Sequence, residues 1–382
     1  MAHRGPVTIV GAGISGLTLA RCLLHRGIPA IVYERVALRP THHSYGITLK
    51  ASAYRPLLES LRLDEETFRR KLAVDAGVGG DGYVGRDRDP DLLRANRRLL
   101  EALLREGLDI RWKHDVSDVL VPKNVSDKTT LVFRGGLHLH SSIVVAANGA
   151  PSLFRKKVSP SSAVEVLPYV VIAGKRNLPR AAFDSYFAPH LVEVGANVIE
   201  HRSANGTLLQ ISLHDIDTEK AYLGYTFSRP AATHGGDALF TPHRSNYRAK
   251  NVPDVLFDEV SRLTDIPAPF AAVFTADAMR KDPLLSWLMR SARVPQTDLE
   301  AAAAKGVVLI ADAAHPAPIL ASWGACEGIL DAVELARYIG EGDGQDLRGF
   351  VERQGRRWEG YRKAGDVNLG EMHEAQSTSS RL

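Results

Sequence analysis

Three glycines and two acids carry the chemistry that reads most directly from this chain. Gly11, Gly13 and Gly16 stand in the G-x-G-x-x-G spacing straight after the apolar run Val7-Thr8-Ile9-Val10, and Glu34 closes a second apolar run, Ala30-Ile31-Val32-Tyr33. Far downstream, Asp312 follows a third run, Val307-Val308-Leu309-Ile310. This set suits an adenine dinucleotide. The first glycine permits a tight turn, the second lets the backbone approach a pyrophosphate, and the third lets a helix pack closely on its strand. The helix N-terminus then offers the phosphates free N–H groups and partial positive charge. Glu34, with Arg35 beside it, falls where a carboxylate accepts the adenosine ribose hydroxyls, and an acid there disfavours a 2′-phosphate. Asp312, leaving a buried strand, suits the hydroxyls of a polyol.

Such groups need a strand–turn–helix–strand unit to hold them, and the pattern supplies one. Ile14, Leu17, Arg21 and Leu24 recur on one helical face, Gly27 stops the helix and Pro29 forbids its continuation. Further helices are predicted at 56–63, 65–72 and, as a long amphipathic segment closed by Gly107, 91–106. Short strands are predicted at 110–113, 116–121, 130–133, 137–140 and 143–147. From about residue 164 the character changes to strand-like runs at 166–173, 192–198, 207–214 and 221–227, an inserted antiparallel sheet. Helices are expected near 255–263, 284–290, 324–339 and 347–363. The predicted fold is therefore α/β: a Rossmann-like nucleotide domain in two parts (1–163 and 296–365), an inserted substrate sheet (164–295) and a flexible tail (366–382).

Composition narrows the partners. Across 382 residues the net charge is +4, yet no Lys/Arg block with interleaved aromatics accompanies it, which argues against nucleic acid and for a small anionic or phenolic ligand. Two cysteines, Cys22 and Cys326, make no disulfide framework or metal-ligand spacing, and His42-His43 lacks further ligands, so no metal is expected. No apolar stretch reaches membrane-spanning length. A cytoplasmic protein is expected, with one alternative: the terminal Ser380-Arg381-Leu382 approximates the Ser-Lys-Leu peroxisomal address. Oligomeric state is not legible.

In the run 207–214, alternation places Leu209, Ile211 and Leu213 on one face and Gln210, Ser212 and His214 on the other. The polar strip is expected to face solvent. The alternative is a strip roofing the substrate, with His214 as a base on a phenol or enol and Tyr222 on the next strand as a second candidate. Cys326 is expected to be a small buried residue and His315 a structural one.

Together these motifs resemble the class A FAD-dependent monooxygenases, the p-hydroxybenzoate hydroxylase-like family, in its natural-product branch. The third motif of that family, Gly-Asp-Ala-Ala-His-Pro, is matched by Ala311-Asp312-Ala313-Ala314-His315-Pro316, and its Asp-Gly-x-x-Ser-x-x-Arg motif by residues 148–155. The resemblance implies FAD as cofactor, with Asp312 on its ribityl chain, Arg94 contacting it from the start of the long helix, and Gly324 and Ala325 at the flavin. It implies NAD(P)H as a transient reductant and transfer of one oxygen atom from O2 to an aromatic, polyketide- or terpenoid-derived small molecule, by hydroxylation or epoxidation. The chain departs from the family at Asn148 (for Asp), Ala311 (for Gly) and in the loop Ala321-Ser322-Trp323, where the family carries glycines. A redox-neutral cyclase or isomerase with a weakened flavin site is the second expectation, and a silent nucleotide-binding partner protein a third.

Overall fold

The computed structural model describes residues 5–38, 45–83, 90–124, 127–194, 197–203, 205–232, 236–320, 323–342 and 346–374. The elements open with β1 (Val7–Val10), α1 (Ile14–His25), β2 (Ala30–Glu34), β3 (Gly46–Lys50), α2 (Ala51–Leu61) and α3 (Glu65–Leu72). They continue with β4 (Leu92–Asn96), α4 (Arg97–Arg105), β5 (Ile110–Trp112), β6 (Val116–Leu120), β7 (Thr129–Phe133), β8 (His138–Ser141) and β9 (Val144–Ala146). After these come β10 (Val164–Val166), β11 (Tyr169–Pro179), β12 (Val198–Arg202), β13 (Leu208–Ile216) and β14 (Lys220–Pro230). The last strands are β15 (Leu284–Trp287), β16 (Arg290–Ala292) and β17 (Val307–Leu309), followed by helices Gly324–Glu341 and Arg348–Glu371.

Strands β17, β9, β1, β2 and β5 form, in that order, a parallel sheet. Its β1, β9 and β17 are almost wholly apolar and buried, as a sheet covered on both faces requires. The inserted sheet, ordered β12-β13-β14-β11-β15, is antiparallel. One of its faces, with Ile172, Leu209, Ile211, Leu213, Leu223 and Phe227, is buried beneath short helices including Val255–Ser261 and Phe270–Val273. The other face turns toward the antiparallel β3–β4 pair, where Asn96 donates to the Asp215 carboxylate at 3.0 Å.

Several predicted elements differ. Residues 91–106 are not one helix: 92–96 pair antiparallel with β3, and the helix begins only at Arg97, where Asn96 accepts from the Arg98 and Leu99 amides. Helix formers there are overruled by a partner strand, since pairing buries Leu93 and Ala95 completely. The predicted strand 192–198 is a helix, Ala188–Val194, with the strand displaced to Val198–Arg202. Residues 284–290 are two strand segments, because Leu284–Trp287 completes an edge of the inserted sheet beside β11. The strand foreseen at 166–173 runs instead from Tyr169 to Pro179. The terminal Ser-Arg-Leu and the His42-His43 pair lie outside the described residues.

One fully buried acid locks the C-terminal helices to the strand-end motif. Asp331 accepts from the Ala311 amide (2.7 Å), His315 Nε2 (3.0 Å), Trp358 Nε1 (2.7 Å) and Arg357. Burial pushes its carboxyl upward, but His315, Arg357 and Trp358 outweigh that and hold it at about 2. A depressed carboxyl contributes stability that is complete above its unfolded pKa and is lost as pH falls through the folded one, here from about 4 down to about 2. Replacing Asp331 by Asn leaves Arg357 paired with Glu327 but removes the charged acceptor shared by His315, Trp358 and Arg357. The expected cost, read by urea unfolding at neutral pH, is about 2–3 kcal/mol.

Candidate active site

The parallel sheet opens a crevice at its carboxyl end. Gly11 leaves β1 with φ of +112°, and a Cβ built on it would lie 2.4 Å from the carbonyl oxygen of Ala147, just past β9. Only glycine fits there. Gly16 packs behind the turn, where a Cβ would meet the Gly11 carbonyl oxygen at 2.0 Å. Gly13 is different in kind: a Cβ there would meet nothing within 4 Å, so its backbone faces open space. That space is a cleft of about 420 Å³ walled by Gly11, Gly13, Glu34, Arg35, Arg97 and Asn148. The Glu34 carboxylate bends over the turn, accepting from the Ala12 amide at 2.8 Å and the Val36 amide at 3.0 Å.

Asp312 stands past β17, exposed and outside the residues that wall this cleft. Desolvation raises its carboxyl, opposed by His315, Arg97 and Arg155. Arg155, from the middle motif, is buried and donates to the Asp312 and Ala313 carbonyls at 3.1 Å each and to the Ala150 carbonyl, tying the two motifs together. Neither Arg155 nor Asp331 was singled out from sequence. The available signals were a motif arginine and an acid embedded in the apolar stripe Ile329-Ala332-Val333-Ala336.

The three family departures have local answers. Ala311 takes φ of +53°, a conformation that costs a non-glycine residue about 1–2 kcal/mol, while its amide is held by Asp331. The neighbouring helix accommodates its methyl by placing Gly328 opposite, where even a built Cβ would clear the Ala311 Cβ by 3.4 Å. Asn148 keeps a neutral carboxamide at the cleft, its Oδ1 buried without a partner. Trp323 stands before the helix beginning at Gly324, its ring beneath Lys50 Nζ at 4.1 Å, and its own side chain does not cap that helix. Ala325, one residue on, is partly buried against the core.

Arg94, expected at the start of the long helix, and Arg97, not singled out from sequence, fall on different elements. Arg94 lies in mid-strand on β4, not at the start of a helix, and it does not line the cleft. Arg97 is the first residue of α4, lines the cleft and bears electrostatically on Asp312. Its own fork is steadied by Glu101 at 2.8 Å and by Tyr45. Cys326 is buried as expected, placed between the Lys50 amide and the Thr48 carbonyl, and burial pushes its thiol up to about 11. His315 packs on Trp358 and bonds Asp331, again as expected.

The polar strip of β13 does not simply face solvent. Gln210 does, bonding Glu200 at 2.8 Å, but Ser212 is buried and the His214 ring lies over Gly224 of β14. Burial, then Arg94, then Lys175, hold the His214 imidazole well below its usual pKa. A group so placed is a neutral hydrogen-bonding ring at physiological pH, not the base poised near neutrality that its sequence position suggests. Tyr222 is half-buried two residues before Gly224 and opposes Asn177 and Asp215.

A parallel sheet with a glycine turn and strand-end acids, carrying an inserted antiparallel sheet, is the architecture of an FAD-binding oxygenase. No family model matches the chain. It is 31% identical over 378 residues to the FAD-dependent monooxygenase adaC of Aspergillus niger, covering 92% of this chain and 89% of that one. Among solved structures it superposes on CtdE, in complex with FAD and substrate, with a TM-score of 0.73 at 15% identity, covering 98% of this chain and 91% of that one. On 2,6-dihydroxypyridine-3-hydroxylase from Arthrobacter nicotinovorans the TM-score is 0.71 at 17% identity, covering 99% and 95%. The chain belongs to the FAD-dependent monooxygenases, and its cofactor is FAD.

The crevice makes two substitutions diverge. Gly11→Ala drives a methyl into backbone and is expected to abolish folding. Gly13→Ala meets only open space, so its urea midpoint is expected to stay close to the parent while FAD affinity, titrated by flavin fluorescence quenching, falls about tenfold or more. Equal losses in both properties for Gly13→Ala contradict the assignment. Ala311→Gly relieves the left-handed strain and, after the entropy glycine adds to the unfolded chain, is expected to gain up to about 1 kcal/mol by urea unfolding.

Proposed function

We propose that FAD lies extended along this crevice and that the enzyme transfers one oxygen atom from O2 to an aromatic or polyketide-like small molecule, with NAD(P)H as transient reductant. The observation that carries the proposal is the cleft that gathers Glu34, Arg35, the open backbone of Gly13 and Arg97, with Asp312 in electrostatic reach of Arg97. Those groups fit the cofactor. The cleft is open where only a backbone approaches, Arg97 lines it, and Asp312 is an exposed acid.

When bound, FAD supplies the activation of O2; the protein holds, orients and encloses. The α1 N-terminus and the Gly11–Gly13 turn would hold the pyrophosphate. Glu34 would accept from the ribose hydroxyls, Asp312 from the ribityl hydroxyls, and Arg97, which lines the cleft where Arg94 does not, would offer its charge to the phosphates. The N-terminus of Gly324–Glu341 would offer N–H groups and positive dipole to negative charge on the flavin ring. The polar face of the inserted sheet, with Ser212, His214 and Thr226, forms the substrate roof. 2,6-Dihydroxypyridine-3-hydroxylase, by its name, acts on a hydroxylated aromatic ring, and this roof suits that class. The relatives, named FAD-dependent monooxygenases, support this reading over a redox-neutral cyclase or isomerase.

The protein as purified is expected to be yellow, to release one FAD per chain on denaturation, and to oxidise NAD(P)H faster when a hydroxylated aromatic substrate is added, giving a product heavier by one oxygen atom. A colourless protein that takes up no FAD, or a product of unchanged mass, overturns this reading.

A further inference from the structure

We propose that His114 selects the base of the cofactor, reading the 6-amino group of adenine through its Nε2 at the β5 end of the cleft. This inference rests on the reading that FAD lies in the crevice, and it names the residue that sets the preference for a 6-aminopurine.

The order of the parallel sheet sets out where each part of the dinucleotide falls. Gly13 follows β1, Glu34 ends β2, and Trp112 ends β5 directly beside Glu34 in register. With the phosphates after β1 and the ribose at the end of β2, the base on the far side of that ribose falls beyond β5. The wall of the cleft changes character there. Val36 and Leu38 are 40% and 49% exposed, two large apolar side chains left uncovered on the cleft beside Trp112 and His114. A flat heteroaromatic ring buries such a pair, whereas a sugar or a phosphate does not.

The chain is bent to present His114 at this wall. Lys113 takes φ of +61°, a left-handed conformation that a non-glycine residue keeps only where neighbouring contacts fix it. Those contacts are present: the Lys113 amide donates to the Val36 carbonyl at 3.2 Å, and the His114 amide donates to the Glu34 carbonyl at 2.8 Å. The residue that would hold the ribose and the residue that would read the base are therefore hydrogen-bonded to each other. The imidazole is fixed in turn. Tyr33 and Phe133 meet its ring edge-on, each with a centroid 5.7 Å away, and Nδ1 lies 2.9 Å from the Trp112 carbonyl oxygen. A carbonyl only accepts, so Nδ1 carries the proton, and in the neutral ring Nε2 is left as an acceptor. Nε2 has no partner among the described residues and is not sealed in the core. Adenine joined to a sugar has N–H donors only on its 6-amino group, so an acceptor on this wall takes that group and no other part of the base.

The test compares two dinucleotides that differ at one position. Stripped protein is titrated by calorimetry with FAD and with its analogue in which purine replaces adenine, so that hydrogen stands where the amine was. FAD is expected to bind about fivefold or more tightly than the analogue, the effect of one lost hydrogen bond. His114→Phe keeps the ring contacts with Tyr33 and Phe133 but has no acceptor, and it is expected to bind the two within about twofold of each other. His114→Gln, which returns an acceptor oxygen, is expected to recover part of the preference. A purely structural role for His114 lowers both affinities together and leaves their ratio unchanged, so an undiminished preference in His114→Phe overturns the assignment. Equal affinities in the parent protein overturn it as well, and that result needs no variant to fold. Protein that binds neither dinucleotide defeats the FAD reading; FAD bound without preference for the amine defeats the His114 assignment alone.

Discussion

The structure depends on the contact between the turn after β1 and the end of β9. Gly11 and Ala147 approach so closely that no side chain fits between them, and this approach lets adjacent parallel strands end side by side at a crevice. Everything that binds is then placed relative to that turn. α1 starts from it, Glu34 folds back onto its Ala12 amide, and β17 brings Asp312 to the far end. A second constraint of the same kind acts from behind, where the buried Asp331 pins the Ala311 amide and so fixes the loop that carries Asp312.

The nucleotide half of this arrangement was legible because its signals are local. Strand, glycines, helix, stop and terminal acid fall within one short stretch, and each has its own turn chemistry or periodicity. Asp312 was legible for the same reason, as an acid leaving a buried apolar run. The Arg94 position was not. In a helix spanning 91–106, residues 94 and 97 share a face, so either arginine serves the same crevice. The pairing of 92–96 with β3 separates them, sending one to the cofactor cleft and the other to the inserted sheet. That pairing is long-range, and no local propensity announces it.

The inserted sheet illustrates the same limit from the other side. Alternation correctly divided Leu209, Ile211 and Leu213 from Ser212 and His214, because a strand has only two faces. What covers the polar face is decided by the long-range β3–β4 pair that packs near it. Burial, Arg94 and Lys175 keep the His214 imidazole neutral, which removes it from the role of a base poised near neutrality. Arg155 and Asp331 escaped notice similarly, since each earns its place only through partners far away in the chain.

Two arginines three residues apart therefore take different places, Arg97 lining the cleft and Arg94 on β4 outside it, and the consequence is open to one measurement. FAD is titrated into stripped protein for the parent, Arg97→Met and Arg94→Met by isothermal calorimetry. The account predicts that Arg97→Met weakens FAD binding by about tenfold or more, whereas Arg94→Met leaves the affinity within about twofold of the parent. Loss of FAD affinity in Arg94→Met with Arg97→Met unaffected contradicts it.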